Sequence, residues 1–83
     1  MPKYLDHHAM PQLPPEVVQQ VQASMRGGTV DPLGVKGINA FMSTDGQAWC
    51  LTEAPNAEAV CKSHEAMGVV LTTGDVHEVQ SMV

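Results

Sequence analysis

Apolar and polar residues alternate with a period of two in four short segments of the chain, and this pattern is typical of β-strands. In the first segment, Tyr4, Asp6 and His8 share one face because successive side chains of a strand point to opposite sides. An Asp-Gly pair at 45–46 predicts a hairpin between the second and third segments. The four expected strands are Lys3–His8, Val35–Ser43, Ala48–Glu53 and Val76–Met82.

Two segments with helical periodicity separate these strands. The first begins at Pro14-Pro15, since proline is tolerated in the first turn of a helix, and ends at Gly27-Gly28. The second has Asn56 as a suitable N-cap and runs to about Met67, where Gly68 provides a stop. The predicted order is therefore β-α-β-β-α-β.

This order is the split-βαβ pattern of the ferredoxin-like fold. It predicts the α+β class and a single domain over residues 1–83, with a four-stranded antiparallel sheet in the order 4-1-3-2 and both helices on one face. The other sheet face is left uncovered. A domain this small buries only about 60% of its unfolded surface, so we expect a second copy of the chain to cover that face.

The charge and hydropathy of the chain argue against two classes of partner, nucleic acids and membranes. The net charge is −5, with four Lys and Arg against nine Asp and Glu, so no basic surface for nucleic acid is expected. No apolar run approaches the roughly 20 residues that a membrane span requires. The first residues lack the apolar core of a signal peptide, and we expect a cytoplasmic protein.

The predicted topology places all four histidines at one end of the fold. His7 and His8 lie near the end of strand 1, His64 lies near the end of helix 2, and His77 begins strand 4 beside strand 1. Imidazoles and carboxylates together are the donor set for a divalent metal such as nickel, zinc, cobalt or copper. The same elements contribute four carboxylates: Asp6, Glu65, Asp75 and Glu78.

Each of these histidines also has an ordinary interpretation. His64 shares the apolar stripe of the second helix with Val60 and Cys61, so it is either a core histidine satisfied by a carbonyl or carboxylate, or a metal ligand. Asp6 and His8 form an i, i+2 pair, which is either ordinary polarity near a strand end or a pair of ligands on one face.

Neither cysteine lies in a Cys-x-x-Cys unit, and we interpret Cys50 and Cys61 as small buried hydrophobic residues. A nucleophilic cysteine assisted by His64 has no identifiable oxyanion element, so no catalytic residue is predicted. The core or the dimer face is expected to contain Tyr4, Phe41, Trp49 and Leu51.

Nearly the whole chain resembles a family of small bacterial domains of unknown function, most clearly in two segments. One is the opening Met-Pro-Lys-Tyr-Leu-Asp-His-His, and the other is Trp49–Val60, which is similar to the family signature Cys-Leu-x-Glu-Ala-Pro-x-Ala-Glu-Ala-Val. His64-Glu65 and His77–Val79 resemble its C-terminal part. The family includes a nickel-binding protein with a ferredoxin-like fold, whose homodimer packs its sheets as a barrel. The resemblance is weaker between Gln12 and Ala40.

The resemblance implies a homodimer and a nickel site formed by Asp6, His8, His64 and Glu78. The predicted function is a small metal-binding protein for sequestration, sensing or delivery, with nickel favoured and zinc or copper compatible. One alternative is a dimeric α+β barrel that binds a small organic ligand or acts as a small enzyme, and another is an interaction domain with incidental histidines. A deep apolar pocket lined by His64 and bounded by Trp49 would favour the ligand-binding alternative.

Overall fold

Four strands form one antiparallel sheet in the computed structural model of the chain, which describes residues 1–82. Their order is β2-β3-β1-β4, which confirms the predicted topology and the ferredoxin-like α+β class. A 3-10 turn at Thr73–Asp75 precedes the last strand. The strands are β1 (Lys3–Ala9), β2 (Lys36–Met42), β3 (Gln47–Glu53) and β4 (Val76–Val79), and the helices are α1 (Pro15–Gly27) and α2 (Ala57–Glu65).

Two elements end two or three residues earlier than the sequence predicts. β4 stops at Val79, because Val79 pairs with Lys3, the first residue of β1, and the described residues of β1 offer no further partner. α2 ends at Glu65, where Gly68 adopts a left-handed φ of 83° and the Val69 amide donates to the His64 carbonyl at 3.0 Å. Such a turn satisfies the free carbonyls at the end of a helix.

The hydrophobic core lies between β1, β4 and α2. The even-numbered residues of β1 face α2, which explains why Tyr4 and Asp6 are buried while Leu5 is only half-buried. The Asn56 side chain accepts a hydrogen bond of 2.8 Å from the Ala59 amide, which confirms the predicted N-cap. Apart from Tyr4, the core residues are small: Val35, Ala54, Ala59, Val60 and Val76.

Within residues 1–82, the opposite sheet face carries no helix and exposes aromatic side chains. Register and strand alternation place Leu5, His7, Trp49 and Phe41 on this outer face. The His7 ring stacks on Trp49 with ring centroids 4.7 Å apart, and Phe41 is 56% exposed. No helix within residues 1–82 combines the length and the apolar character that crossing a membrane requires.

Candidate metal centre

Asp6 is a charged side chain buried completely at the centre of the sheet. It lies in the middle of β1 on the face towards α2, opposite Cys50 of β3 and Val76 of β4. Neither of its carboxylate oxygens accepts a hydrogen bond from any residue that the structure describes. Because burying an isolated carboxylate costs several kcal/mol, this position requires a positive charge beside it.

His64 reaches Asp6 from α2. Its Nδ1 lies 2.9 Å from the Val60 carbonyl, so this nitrogen carries a proton and donates to the carbonyl oxygen. Its Nε2 lies 3.4 Å from the Asp6 Oδ1 atom. With Nδ1 occupied by the backbone, Nε2 is the nitrogen that faces the carboxylate, and it can hold either a second proton or a metal ion.

His8 is oriented in the same way from β1. Its Nδ1 lies 2.7 Å from the Ala9 carbonyl, which fixes the ring and leaves Nε2 free. Nε2 lies 3.5 Å from the Asp6 Oδ1 atom and 3.6 Å from the Cys50 Sγ atom. The His8 and His64 rings meet edge to face with centroids 5.2 Å apart. Metal-binding histidines usually donate their second ring N–H to a carbonyl or carboxylate in this manner.

Four potential ligand atoms therefore converge within 4.8 Å of one another. They are two imidazole nitrogens, one thiol sulfur and one carboxylate oxygen, supplied by two neighbouring strands and one helix. This donor set suits zinc, nickel, cobalt or copper rather than magnesium or calcium, which prefer oxygen alone. The four residues are Asp6, His8, Cys50 and His64.

The electrostatics of the cluster follow from the buried carboxylate. Burial alone would lower the pKa of His64, but the contacts with Asp6 and Cys50 and the Val60 carbonyl raise it to about 10. Without a metal, His64 is therefore an imidazolium at neutral pH and balances the charge of Asp6. Burial, together with the charge of Asp6, raises the pKa of the Cys61 thiol, which lies outside the cluster.

Three of the four residues implied by the family resemblance lie together in this cluster: Asp6, His8 and His64. Glu78 does not join them. It is exposed, and it pairs with Tyr4, four residues before His8, which separates the two positions by about 13 Å along the strand. The register that places Asp6 opposite Val76 leaves Glu78 at the far end of the sheet face.

Of the four histidines that the sequence places at one end of the fold, only His8 and His64 lie together in the cluster. His7 lies on the outer face with Trp49, and His77 pairs with Leu5 on that same face. The reason is the alternation of side chains along a strand, which sends His7 and His8 to opposite sides of the sheet.

Cys50 is the residue of the cluster that sequence reasoning missed. The sequence predicts a buried hydrophobic residue here. Cys50 is instead half-buried, and its sulfur contacts the polar His8 side chain. The alternation in β3 places Ala48, Cys50 and Thr52 on one face, which was visible in the sequence. The register that sets Cys50 opposite Asp6 was not visible, because it depends on how β1 and β3 pair.

The cluster opens onto a cleft of about 1040 Å³ between α1 and the sheet. His8, Cys50 and His64 line this cleft, and most of the remaining lining side chains are apolar. Trp49 does not line it, because Trp49 lies on the outer sheet face. An apolar pocket lined by His64, which would favour a ligand-binding function, is therefore present. Trp49, which was expected to bound this pocket, is not part of it.

Comparisons with known proteins concern the family and the fold of the chain. The model of a family described as "Nickel responsive protein SCO4226-like" matches residues 4–79, a range that contains all four clustered residues. Among solved structures, the fold is similar to the crystal structure of SCO4226 from Streptomyces coelicolor A3(2), with 25% sequence identity and a TM-score of 0.69. That alignment covers 98% of this chain and 99% of the other. A search of curated proteins finds no match.

Proposed function

We propose that this chain, which belongs to the SCO4226-like family of nickel responsive proteins, binds a divalent transition metal at Asp6, His8, Cys50 and His64. The observation that carries the proposal is the buried Asp6 carboxylate, which accepts no hydrogen bond within residues 1–82 and faces two imidazole Nε2 atoms. The family description favours nickel, and the donor set also accommodates zinc or copper.

Charge balance supports a divalent ion at this position. The Asp6 carboxylate and a Cys50 thiolate contribute two negative charges, which neutralise a divalent cation in a largely buried site. The two imidazoles then act as neutral ligands through Nε2. In the metal-free protein the imidazolium of His64 takes the place of the metal charge beside Asp6.

A role in sequestration, sensing or delivery fits this site better than catalysis. All four clustered side chains are accounted for as ligands, and the cleft gives a metal ion a route of entry. The ligand-binding alternative is favoured by one specific observation, the apolar cleft itself.

We also propose that the protein is a homodimer through the outer sheet face. The exposed Phe41 and the half-buried Leu5, Leu51 and Trp49 give this face an apolar character that a second copy can bury. The metal cluster lies on the opposite face of the same sheet, so each chain would hold its own complete ligand set.

The test is calorimetric titration of untagged, chelator-treated protein with NiCl₂ and ZnCl₂, followed by elemental analysis. We expect one metal ion per chain, and a gain of about 2.7 kcal/mol in the free energy of unfolding when free metal is 100 times its Kd. Replacing Cys50 by serine should weaken binding strongly, whereas Cys61→Ser, a matched thiol outside the cluster, should not.

His8→Gln and His77→Gln form a second matched pair, since only His8 belongs to the cluster. The expected result is weak binding for His8→Gln and wild-type binding for His77→Gln. The proposal is rejected if no nickel, zinc, copper or cobalt salt raises the melting temperature, or if both variants bind as the wild type does.

A further inference from the structure

Helix α1 packs only loosely on the sheet. It is 13 residues long, yet none of its residues is buried. Its apolar side chains, including Val17, Val21 and Met25, line the cleft instead of contacting a closed core. An amphipathic helix in a globular protein usually buries its apolar stripe, so the open space beneath α1 needs an explanation.

The C-terminal end of α1 is fixed in this position. A Cβ atom at Gly37 of β2 would lie 3.2 Å from the Met25 side chain, so helix and strand are already in close contact there. The loop that follows α1 is held to α2, because the Ser63 hydroxyl donates to Asp31 at 2.7 Å. The cleft therefore lies between elements that are anchored to each other.

The cleft has the size and chemistry of a small-molecule site. Its volume of about 1040 Å³ lies at the upper end of the range for such sites, about 300 to 1,000 Å³. Two kinds of polar group meet at the sheet: the metal-binding cluster and Thr52, which is 4% exposed and whose hydroxyl has no partner among residues 1–82. The apolar walls include Leu13, Val17, Val21, Met25, Ile38 and Met42.

We propose that the cleft binds a small N-heteroaromatic molecule with an apolar substituent, whose ring nitrogen completes the coordination of the metal held by the cluster. This inference rests on the proposed metal-binding function. Asp6 and Cys50 already neutralise a divalent ion, so an added anion is disfavoured and an uncharged nitrogen donor is favoured.

Thr52 further limits which heteroaromatic ring the cleft can bind. It lies two residues from Cys50 on the same face of β3 and also lines the cleft. A second ring nitrogen that carries a proton can donate to its hydroxyl, which is buried and has no partner among the residues that the structure describes. An azole ring offers both functions, one unprotonated nitrogen for the metal and one N–H for Thr52.

The experiment compares 4-phenylimidazole with imidazole on nickel-loaded protein, with binding followed by the visible absorption of the nickel centre. We expect the phenyl group to tighten binding about tenfold or more, because it is buried against the apolar walls. Thr52→Val should weaken both azoles about fivefold and leave nickel affinity unchanged.

Val21→Trp is the variant that fills the cleft. In this variant 4-phenylimidazole should bind no tighter than imidazole, and imidazole should still bind. Val70→Trp is its control, since Val70 is 87% exposed and does not line the cleft. The inference is overturned if 4-phenylimidazole binds nickel-loaded protein no tighter than imidazole, or if Val21→Trp keeps the difference.

A separate measurement distinguishes this inference from the proposed function. Methyl NMR signals of Val17, Val21 and Ile38 are followed in metal-free protein during titration with 4-phenylimidazole. If no metal binds but these signals shift and saturate, the metal-binding function and the metal contact are rejected, while the apolar cleft site stands. If neither metal nor azole binds, both proposals are rejected.

Discussion

The carboxylate of Asp6 and the imidazole of His64 control the chemistry of the candidate site. Asp6 is buried completely and lies 3.4 Å from the Nε2 atom of His64, whose other nitrogen donates to the Val60 carbonyl. At the proposed metal site, a proton and a metal ion would therefore compete for the same nitrogen beside the same carboxylate. The pH at which each species predominates follows from this competition.

Metal-free protein should lose stability as the pH rises from neutral to alkaline values. The pKa of His64 is raised to about 10 from an ordinary value of 6.5, so its contribution is complete below pH 6.5 and is lost as pH rises towards 10. Urea unfolding at pH 6.5, 8 and 10 measures this decline. Asp6→Asn should make the free energy of unfolding depend less on pH. A free energy of unfolding that rises up to pH 10 would contradict the assignment of a proton to His64.

Metal binding should release protons and should therefore tighten with pH. The His64 proton and the Cys50 thiol proton both leave when the metal binds, since only the deprotonated groups are ligands. Between about pH 7 and 9, the loss of the His64 proton alone corresponds to about a tenfold gain in apparent affinity per pH unit. Calorimetry in two buffers of different ionisation enthalpy counts the protons, and a count of zero would exclude this exchange.

The connection between α1 and β2 shows how a loop holds two elements together. Asp31 accepts hydrogen bonds of 2.9 Å from the amides of Leu33 and Val35, and its other oxygen accepts one from the Ser63 hydroxyl of α2. Burial alone would raise the pKa of Asp31, but these three hydrogen bonds hold it below its ordinary value. The loop thereby fixes one wall of the cleft relative to α2.

Ser63→Ala should lower the free energy of unfolding by about 1 kcal/mol, because it removes one hydrogen bond to a carboxylate. The contribution of Asp31 is present above the ordinary carboxyl pKa of 3.8 and is lost as the pH falls through its lower folded value. Denaturant unfolding at pH 7 and acid unfolding measure the two effects. Ser24→Ala, at an exposed position of α1, is the control. It should change neither the free energy of unfolding at pH 7 nor the pH of acid unfolding.

At the scale of the whole molecule, the two faces of the sheet carry different features. The face beneath the helices carries the metal cluster and the cleft, while the outer face carries the His7–Trp49 stack and the exposed Phe41. The two faces are separated by the thickness of a single sheet. Association through the outer face would therefore leave the cluster and its cleft accessible.

Phe41→Asp should convert the proposed dimer to a monomer, because it places a charge within the apolar outer face. Sedimentation equilibrium measures the mass, and nickel titration of the same variant should give an unchanged Kd. Val70→Asp is the control, since Val70 is exposed but lies after α2, outside the sheet. A wild-type protein that sediments as a monomer would remove the dimer from the proposal.

The strand order of the sheet followed from the connection rules of the split-βαβ pattern. The sequence by itself also determined the order of the elements and the sharing of one strand face by Asp6 and His8. These features depend on local patterns: alternation in strands, periodicity in helices, and stop signals such as Gly68. Their agreement with the structure is close because each pattern is read within a few consecutive residues.

Only the tertiary structure decided that Cys50 lies opposite Asp6, that Glu78 lies away from His8, and that α1 leaves a cleft above the sheet. Strand register and helix placement depend on contacts between segments distant in the chain, which no local pattern encodes. The direction of each imidazole was likewise decided by tertiary and backbone geometry, because the carbonyls that accept from Nδ1 determine where Nε2 points.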